Sequence, residues 1–322
     1  MKMFRFVLFV FLCVIPLCAS ARKYYDAAAF DLVGHVRYML TSTGRISFKE
    51  DGSLDKANST ALSEYKKYAI SRSKDGYPVK IVTDFETILL EYDDTHKLTK
   101  KTVRGTSNYT ITYYREYSKI LNWQKETFMM LDGSRKSDVK KYSVSIDSRN
   151  NWISRNELEA PETEKEERFM AYWTSRKYER GESEIDIFST LSAPLEIEGF
   201  DKMQLKDIKW ELKARKLKYK SYLSHYTITN YGKTYYGYNV TPEFHCLKKK
   251  STPSDFSIIV NLPMRIGEHY EDIVAFMINE ATERGYEVKF DRVPYFMYNG
   301  YCCRLFRHYN YSVRLEISFR KY

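Results

Sequence analysis

Apolar and polar residues alternate in short runs along the chain up to about residue 180. Two such runs, residues 45–49 and 64–72, end at Asp51-Gly52 and Lys74-Asp75-Gly76, which are typical of tight turns. Connections this short cannot form a parallel crossover, so the strands that they join pair antiparallel. The pattern predicts an antiparallel β-meander over residues 22–180.

A different periodicity marks the carboxy-terminal part. Between residues 267 and 284 apolar side chains recur at helical spacing, and Gly285 is a suitable cap just past the end. Strand-like runs at residues 256–262 and 286–290 flank this helix, and residues 309–319 alternate at a period of two. The inward candidates of that last run are Tyr309, Tyr311, Val313, Leu315, Ile317 and Phe319.

These patterns predict the fold class and the domain limits. The class is mainly β, with an α+β carboxy-terminal domain over residues 201–322 in which one helix packs on a sheet. Ser192-Ala193-Pro194 interrupts the periodicity, so residues 181–200 are predicted to be a linker. The acidic stretch 156–167 is interpreted as a long hairpin loop within the meander.

The amino terminus has the features of an export signal. Lys2 and Arg5 precede the apolar run 6–17, and Ala19-Ser20-Ala21 supplies the small residues before a cleavage site. We predict that residues 1–21 are a signal peptide and that the protein is secreted, periplasmic or part of the cell envelope. No later segment is apolar enough to span a bilayer.

Composition adds two features to this picture. The chain has 29 Tyr against 13 Gly, and Tyr suits half-buried strand faces and exposed recognition surfaces. Its formal net charge is +10, which favours anionic partners.

Spacing indicates a degenerate repeat in the meander. Tyr68, Tyr92 and Tyr114 follow one another at intervals of 24 and 22 residues, and a further turn is centred on Asp147. Stacked repeats that share one core would give this spacing. A plain meander of similar hairpins would give it as well, and both alternatives stay open.

Two turn segments carry a family resemblance. Tyr92-Asp93-Asp94-Thr95-His96-Lys97-Leu98 and Ile146-Asp147-Ser148-Arg149-Asn150-Asn151-Trp152 are similar to the Tyr-Asp-x-x-Gly-Asn pattern of RHS/YD-repeat proteins. The second also looks like the Asp-Ser-x-Gly-Asn-Trp form of secreted proteins of Bacteroidota, and Asp31-Leu32-Val33-Gly34-His35-Val36-Arg37 resembles the start of those chains. The resemblance covers about residues 31–180 and implies a YD-like meander in an exported protein.

The chain departs from the family pattern at the turn glycine, where it has His96 and Asn150. Asn is the non-glycine residue that best tolerates positive φ, so Asn150 can keep the turn, and His96 tolerates it less well.

Three cysteines remain after signal removal, namely Cys246, Cys302 and Cys303. A disulfide from Cys246 to one of the other two is one alternative, and buried thiols are another. A zinc site with His245 is the third, but no Cys-x-x-Cys spacing supports it. We predict no metal and no cofactor.

No catalytic motif is present, so no catalytic residue is predicted and an enzyme is the less favoured class. The nearest constellation is Glu268-His269-Tyr270-Glu271-Asp272 at the start of the helix. Its acidic residues suit a solvated first turn, where they complement the helix dipole. His269 beside a carboxylate is the catalytic alternative.

Basic residues interleaved with aromatic rings form the candidate binding surface. They are Lys209, Lys213, Arg215, Lys216, Lys218 and Lys220, with Trp210 and Tyr219 among them, and Lys248-Lys249-Lys250 follows. The alternatives are an electropositive strip for anionic glycan or lipid headgroups and a solvated face of an edge strand. The residues predicted to bind ligand are Trp152, Trp173, Trp210, Lys213, Lys216 and Lys218.

Two functional hypotheses follow. The first is a non-enzymatic binding or scaffold protein of the cell envelope, whose partner is an anionic glycan or an envelope protein. The second is an enzymatic or effector domain at residues 201–322, carried by the repeat region, with His269 or His308 beside carboxylates. Export makes nucleic acid an unexpected partner, and the oligomeric state is left open.

Overall fold

The computed structural model describes residues 24–321 apart from residues 108, 118–120, 130–132, 148, 161–164, 174–183, 247–251, 263–266 and 311. The predicted signal peptide lies outside the described residues. Strands make up 47% and helices 18% of the chain, which confirms the predicted class of a mainly β protein with an α+β carboxy-terminal region. In the part described, no helix has both the length and the apolar character needed to cross a membrane.

The described α-helices are α1 (Ile187–Ser192), α2 (Leu205–Ala214) and α3 (Gly267–Glu283), and short 3-10 helices occur at Asp26–Phe30, Thr60–Leu62, Pro194–Glu196 and Phe200–Lys202. The strands are β1 (Val36–Thr41), β2 (Gly44–Phe48), β3 (Leu54–Asp55), β4 (Tyr68–Arg72), β5 (Pro78–Thr83), β6 (Glu86–Tyr92), β7 (Leu98–Gly105), β8 (Thr110–Tyr117), β9 (Leu121–Met129), β10 (Arg135–Ile146), β11 (Trp152–Glu157), β12 (Glu166–Glu167), β13 (Phe169–Tyr172), β14 (Tyr219–Ser221), β15 (His225–Ile228), β16 (Thr234–Tyr235), β17 (Tyr238–His245), β18 (Asp255–Asn261), β19 (Val288–Asp291), β20 (Val293–Tyr298), β21 (Tyr301–Asn310) and β22 (Ser312–Lys321).

The chain divides into two compact units that differ from the predicted domain limits. The first unit contains residues 1–37 and 46–142, and the second contains residues 38–45 and 143–322. The second unit therefore begins before the predicted linker and also takes in the β1–β2 turn.

The first unit contains part of the meander that was predicted over residues 22–180. Strands β4 to β9 pair in chain order, each antiparallel to the next, with Ile81 opposite Ile88 and Ile88 opposite Val103. Ile81, Leu90 and Leu98 form a buried cluster. The short connections foreseen from the sequence thus produce neighbouring antiparallel strands.

Four turns in the described chain share one hydrogen-bond pattern. The turns are the five-residue segments 49–53, 73–77, 93–97 and 147–151. In each segment the N–H of the first residue donates to the carbonyl of the fifth residue, and the N–H of the fourth residue donates to the carbonyl of the first. The fourth residue has positive φ in each, at Gly52, Gly76, His96 and Asn150. A tight turn followed by one left-handed residue explains this geometry.

Both segments that carry the RHS/YD resemblance therefore form the same turn. Asn150 has a φ of 62°, as expected for an asparagine that replaces glycine. His96 has a φ of 63°, and its ring stacks on Tyr77 at a centroid distance of 4.4 Å. This contact offsets part of the cost of a left-handed histidine.

The second unit is built on a large antiparallel sheet. Its strand order is β14-β15-β17-β18-β22-β21-β20-β19, with β16 paired to β17. Phe244, Phe256 and Ile258 from the middle strands are fully buried in one core cluster, to which all three helices contribute. The predicted helix α3 therefore packs in the same core as the sheet, as expected. Helices α1 and α2, which were not predicted, also contribute to this core.

Helix α3 shows why its prediction from sequence succeeds. Ile273, Val274 and Met277 are fully buried at the predicted helical spacing. Gly285 has a φ of 84°, and the N–H of Tyr286 donates to the Ala281 carbonyl at 2.9 Å. A left-handed glycine just past the last turn allows this C-terminal hydrogen bond.

Part of the predicted linker is a packed helix. In α1, Ile187, Phe188 and Leu191 are fully buried, and the Asp186 side chain accepts a hydrogen bond from the Phe188 N–H at 3.0 Å. Residues 181–183 of the predicted linker lie outside the described residues. A six-residue helix is too short for periodicity to show, so its burial was not visible in the sequence.

The run 309–319 is not one strand. Strand β21 ends at Asn310 and β22 begins at Ser312, with Tyr309 opposite Val313, so the chain reverses near the start of the run. Alternation continues through a tight reversal, and the pattern alone does not reveal the turn. The side chains of the run 309–319 that were predicted to point inward are not among the side chains that the structure describes.

Candidate functional site

A groove of about 710 Å³ lies on the sheet of the second unit. Its size is in the usual range of ligand sites. Lysine, tyrosine, asparagine and threonine side chains dominate its wall. We call it the β14–β17 groove, and it is lined by Lys220, Tyr222, Thr227, Ile228, Thr229, Asn230, Tyr231, Gly232, Lys233, Asn239, Val240 and Thr241.

Strand alternation explains why polar residues line the groove. In β15, Tyr226 and Ile228 are buried, whereas Thr227 between them is only half-buried. Lys220 of β14 lies opposite Thr227, which in turn lies opposite Glu243 of β17. These three residues form a polar row across neighbouring strands, because opposed residues share a face of the sheet.

The loop after β15 is tied to the segment before β14. The Asn230 side-chain oxygen accepts a hydrogen bond from the Lys218 N–H at 2.6 Å, and its amide nitrogen donates to the Lys216 carbonyl at 3.3 Å. The Thr229 N–H also donates to the Lys218 carbonyl, at 2.8 Å. Asn230 thus fixes one wall of the groove and positions the basic residues beside it.

The groove comes from a stretch of sequence without acidic residues. Between Leu212 and Pro242 there are six Lys and Arg residues and no Asp or Glu. Lys220 and Lys233 are exposed and belong to the groove wall. This concentration of positive charge favours an anionic ligand.

Glu243, which lies opposite the groove residue Thr227, is compensated by its neighbours. The Thr227 hydroxyl donates to Glu243 at 2.8 Å, and His245 Nε2 lies 3.3 Å from the other carboxylate oxygen. Burial acts to raise the pKa of Glu243, but the hydrogen bonds from His245 and Thr227 outweigh it and hold the pKa below its usual value. Glu243 is therefore ionised at neutral pH.

The arrangement of Ser257, His245 and Glu243 does not form a catalytic triad. Ser257 Oγ lies 2.9 Å from His245 Nε2, and Glu243 approaches the same nitrogen. A triad needs the carboxylate on the other ring nitrogen, where it orients the base. These residues instead connect neighbouring strands of the sheet.

Two of the predicted tryptophans are not free aromatic platforms. The Trp152 ring is half-buried and has the Arg168 guanidinium 3.6 Å from its centroid and the Arg155 guanidinium at 4.7 Å. Trp173 is also half-buried. Neither residue lines the β14–β17 groove.

The predicted basic strip is divided among helix α2, edge strand β14 and the segment that connects them. Trp210 and Lys213 are exposed on α2, whereas Lys216 and Lys218 are exposed between α2 and β14. Lys220 of β14 is the member of the strip that lines the groove. The sequence prediction missed Lys233 and the loop 229–232, although the absence of acidic residues around them was a usable signal.

A second polar cluster is buried inside the second unit. Asp147 accepts hydrogen bonds from the Arg149 and Asn151 backbone, both at 2.9 Å, and from the Tyr172 hydroxyl. The Arg149 guanidinium lies 4.0 Å from the Tyr172 ring centroid, and 3.6 Å separates its Nη2 from an Asp272 oxygen. Burial and the charge of Asp147 raise the pKa of Tyr172, so its hydroxyl stays a donor.

Glu271 belongs to this cluster, and the predicted solvated first turn is wrong for it. Glu271 and Asp272 are only 4% and 7% exposed. Burial, together with the charge of Asp147, raises the pKa of Glu271 to about 7. Such a carboxyl suits general acid–base chemistry, but Glu271 is not among the residues that line the groove. The side chains of His269 and His308 lie outside the described ones.

The three cysteines are not joined by a disulfide in the described part of the chain. Cys246, Cys302 and Cys303 are buried and free. Burial raises the pKa of the Cys246 and Cys303 thiols, which keeps them protonated. In the described residues, no group of three or more His, Cys, Asp or Glu side chains is placed to hold a metal ion.

No protein-family model matches the chain, and no curated protein is significantly similar to it in sequence. The resemblance to RHS/YD-repeat proteins stays a prediction.

Proposed function

We propose that the protein is an exported, non-enzymatic binding protein of the cell envelope that holds an anionic glycan in the β14–β17 groove. The observation that carries this proposal is a groove of about 710 Å³ whose lining contains two lysines and no acidic residue. Lysine ammonium groups attract carboxylate or sulfate groups, and Asn and Thr side chains suit sugar hydroxyls.

Aromatic residues of the groove support a sugar ligand. Tyr222 and Tyr231 contribute rings to its wall, and such rings present an apolar face together with a polar hydroxyl. Burial raises the pKa of Tyr231, so its hydroxyl is neutral at physiological pH. An extended acidic oligosaccharide would pair its charged groups with Lys220 and Lys233 and pack its rings against the tyrosines.

The test is calorimetric titration of the mature chain with oligogalacturonate, an acidic glycan, and with maltohexaose, a neutral one. We expect binding of the acidic glycan only, weakened by salt. The double variant K220E/K233E should weaken binding by about tenfold or more, which corresponds to about 1.4 kcal/mol.

The matched control is K213E/K216E, which changes the net charge equally but lies outside the groove. It should retain most of the affinity. Equal losses in both double variants would contradict the groove and indicate unspecific attraction. If the unaltered protein does not bind oligogalacturonate, the proposal is contradicted. That result would favour the alternative, an enzymatic or effector role for residues 201–322.

A further inference from the structure

The two most exposed large apolar side chains in the described part of the chain are Leu223 and Trp210. Leu223 is 91% exposed in the turn between β14 and β15, and Trp210 is 67% exposed on α2. Tyr222, beside Leu223, is 48% exposed. Neither Leu223 nor Trp210 lines the β14–β17 groove, so that groove does not explain their exposure.

The elements that carry these side chains pack against each other. Leu205 of α2 and Tyr226 of β15 belong to one buried cluster with Cys246. The Lys209 ammonium group lies 5.1 Å from the Tyr226 ring centroid, and the Cys246 N–H donates to the Ser224 carbonyl at 2.8 Å. Helix α2 and the β14–β15 hairpin therefore form one continuous structure, which we call the α2–hairpin surface.

Exposed lysines lie on the same elements as the exposed apolar residues. The exposed lysines of the α2–hairpin surface are Lys206, Lys213, Lys216, Lys218 and Lys220. Of its two acidic residues, Glu211 is paired with Arg215, and Asp207 accepts a hydrogen bond from the Gln204 N–H at 3.1 Å. The surface therefore presents a net positive charge together with projecting Leu, Tyr and Trp side chains.

We propose that the α2–hairpin surface docks onto an anionic lipid bilayer. Tyr and Trp rings prefer the headgroup level of a membrane, and a projecting leucine gains free energy when it leaves water there. Lysines near the membrane are attracted to anionic headgroups, which supplies the second signal that stable anchoring needs. This docking goes beyond glycan binding, and it depends on Leu223 and Trp210, which lie outside the groove.

Cosedimentation with phosphatidylglycerol/phosphatidylcholine vesicles tests the docking, with pure phosphatidylcholine vesicles in parallel. We expect the protein to bind the anionic vesicles and not the neutral ones. The variant L223S/W210Q leaves the charge unchanged and should lower the partition coefficient by about tenfold or more. Tryptophan emission should shift to shorter wavelength on binding, and W210Q should lack most of that shift.

The matched control is F85S, which removes an apolar side chain that is 56% exposed in the other unit. It should bind vesicles as the unaltered protein does. Equal binding of anionic vesicles by L223S/W210Q and the unaltered protein would overturn the proposal. The binding would then be explained by unspecific charge attraction. Lipid-free dimerisation that L223S/W210Q abolishes would also overturn the proposal, in favour of self-association.

The variant L223S/W210Q distinguishes vesicle binding from the proposed glycan binding. L223S/W210Q changes no groove residue, so its binding of oligogalacturonate should be unaltered. Conversely, a failure of glycan binding leaves the vesicle result intact, because Leu223 and Trp210 are not groove residues.

Discussion

Glu271 is held where its negative charge is disfavoured. Its pKa is about 7 in the folded protein, compared with an ordinary value of about 4.5. A pKa raised by folding means that the native state binds the proton more tightly than the unfolded chain does. The associated stability is fully present below about pH 4.5 and is lost as the pH rises through about 7.

We expect E271Q to remove the loss of stability at rising pH, because a neutral amide does not ionise. Between pH 4.5 and 8 the unfolding free energy of the unaltered protein should fall relative to that of E271Q by about 3 kcal/mol. Urea unfolding at several pH values measures the unfolding free energy of both proteins. E283Q, an exposed position in the same helix, should follow the unaltered protein, and parallel curves for E271Q and the unaltered protein would contradict the prediction.

Residue-scale geometry also explains how non-glycine residues replace glycine in the shared turn. Asp147 and Asp93 each accept backbone hydrogen bonds through a side-chain oxygen, from Asn151 at 2.9 Å and from Lys97 at 2.8 Å. These bonds add to the backbone pattern of the turn, so His96 and Asn150 can hold positive φ.

At the scale of elements, Asp186 joins two helices of the second unit. Its side chain caps α1 through the Phe188 N–H, and the same oxygen accepts a hydrogen bond from Arg284, which follows α3, at 2.9 Å. Burial acts to raise the pKa of Asp186, but the charge and hydrogen bonding of Arg284 outweigh it and lower the pKa.

Replacing Asp186 should separate its capping role from its charge. D186A removes both and should lower the unfolding free energy by about 1 to 2 kcal/mol. D186N keeps the cap and should cost less than about 1 kcal/mol, because the ion pair with Arg284 is partly exposed. Urea unfolding compares the variants, and equal losses in D186A and D186N would show that the charge dominates.

At the scale of the whole molecule, burial is unequal between the two sheets. Six of the seven residues of β18 in the second unit are buried, whereas one of the seven residues of β6 in the first unit is. Amide hydrogens exchange through openings whose cost depends on buried contacts. The two units should therefore differ in local stability.

We expect the amides of β18 to exchange more slowly than those of β6 by about tenfold or more. Hydrogen–deuterium exchange followed by mass spectrometry measures both strands in one experiment. Both strands have hydrogen-bonded neighbours on each side, so pairing alone does not produce the difference. Equal protection, or slower exchange in β6, would contradict the prediction.

Features that depend on nearby residues can be predicted from the amino-acid sequence. The period of the apolar side chains and Gly285 define α3, and the turn residues at Asp51-Gly52 and Lys74-Asp75-Gly76 lead to antiparallel neighbours. These features depend on contacts within one or two turns of chain, so a single sequence contains the information. The run of basic residues from Lys213 to Lys220 was visible for the same reason.

Contacts between residues that are distant in the sequence depend on the tertiary fold. It buried Glu271, which the first turn of a helix would leave in solvent, because Asp147, Arg149 and Tyr172 lie in the same cluster. It also places Lys220 and Lys233 in the wall of the β14–β17 groove, whereas the predicted binding residues Lys213, Lys216 and Lys218 are not among its lining residues. Pairing of β14, β15 and β17 brings these groups together, and local periodicity does not encode which strands pair.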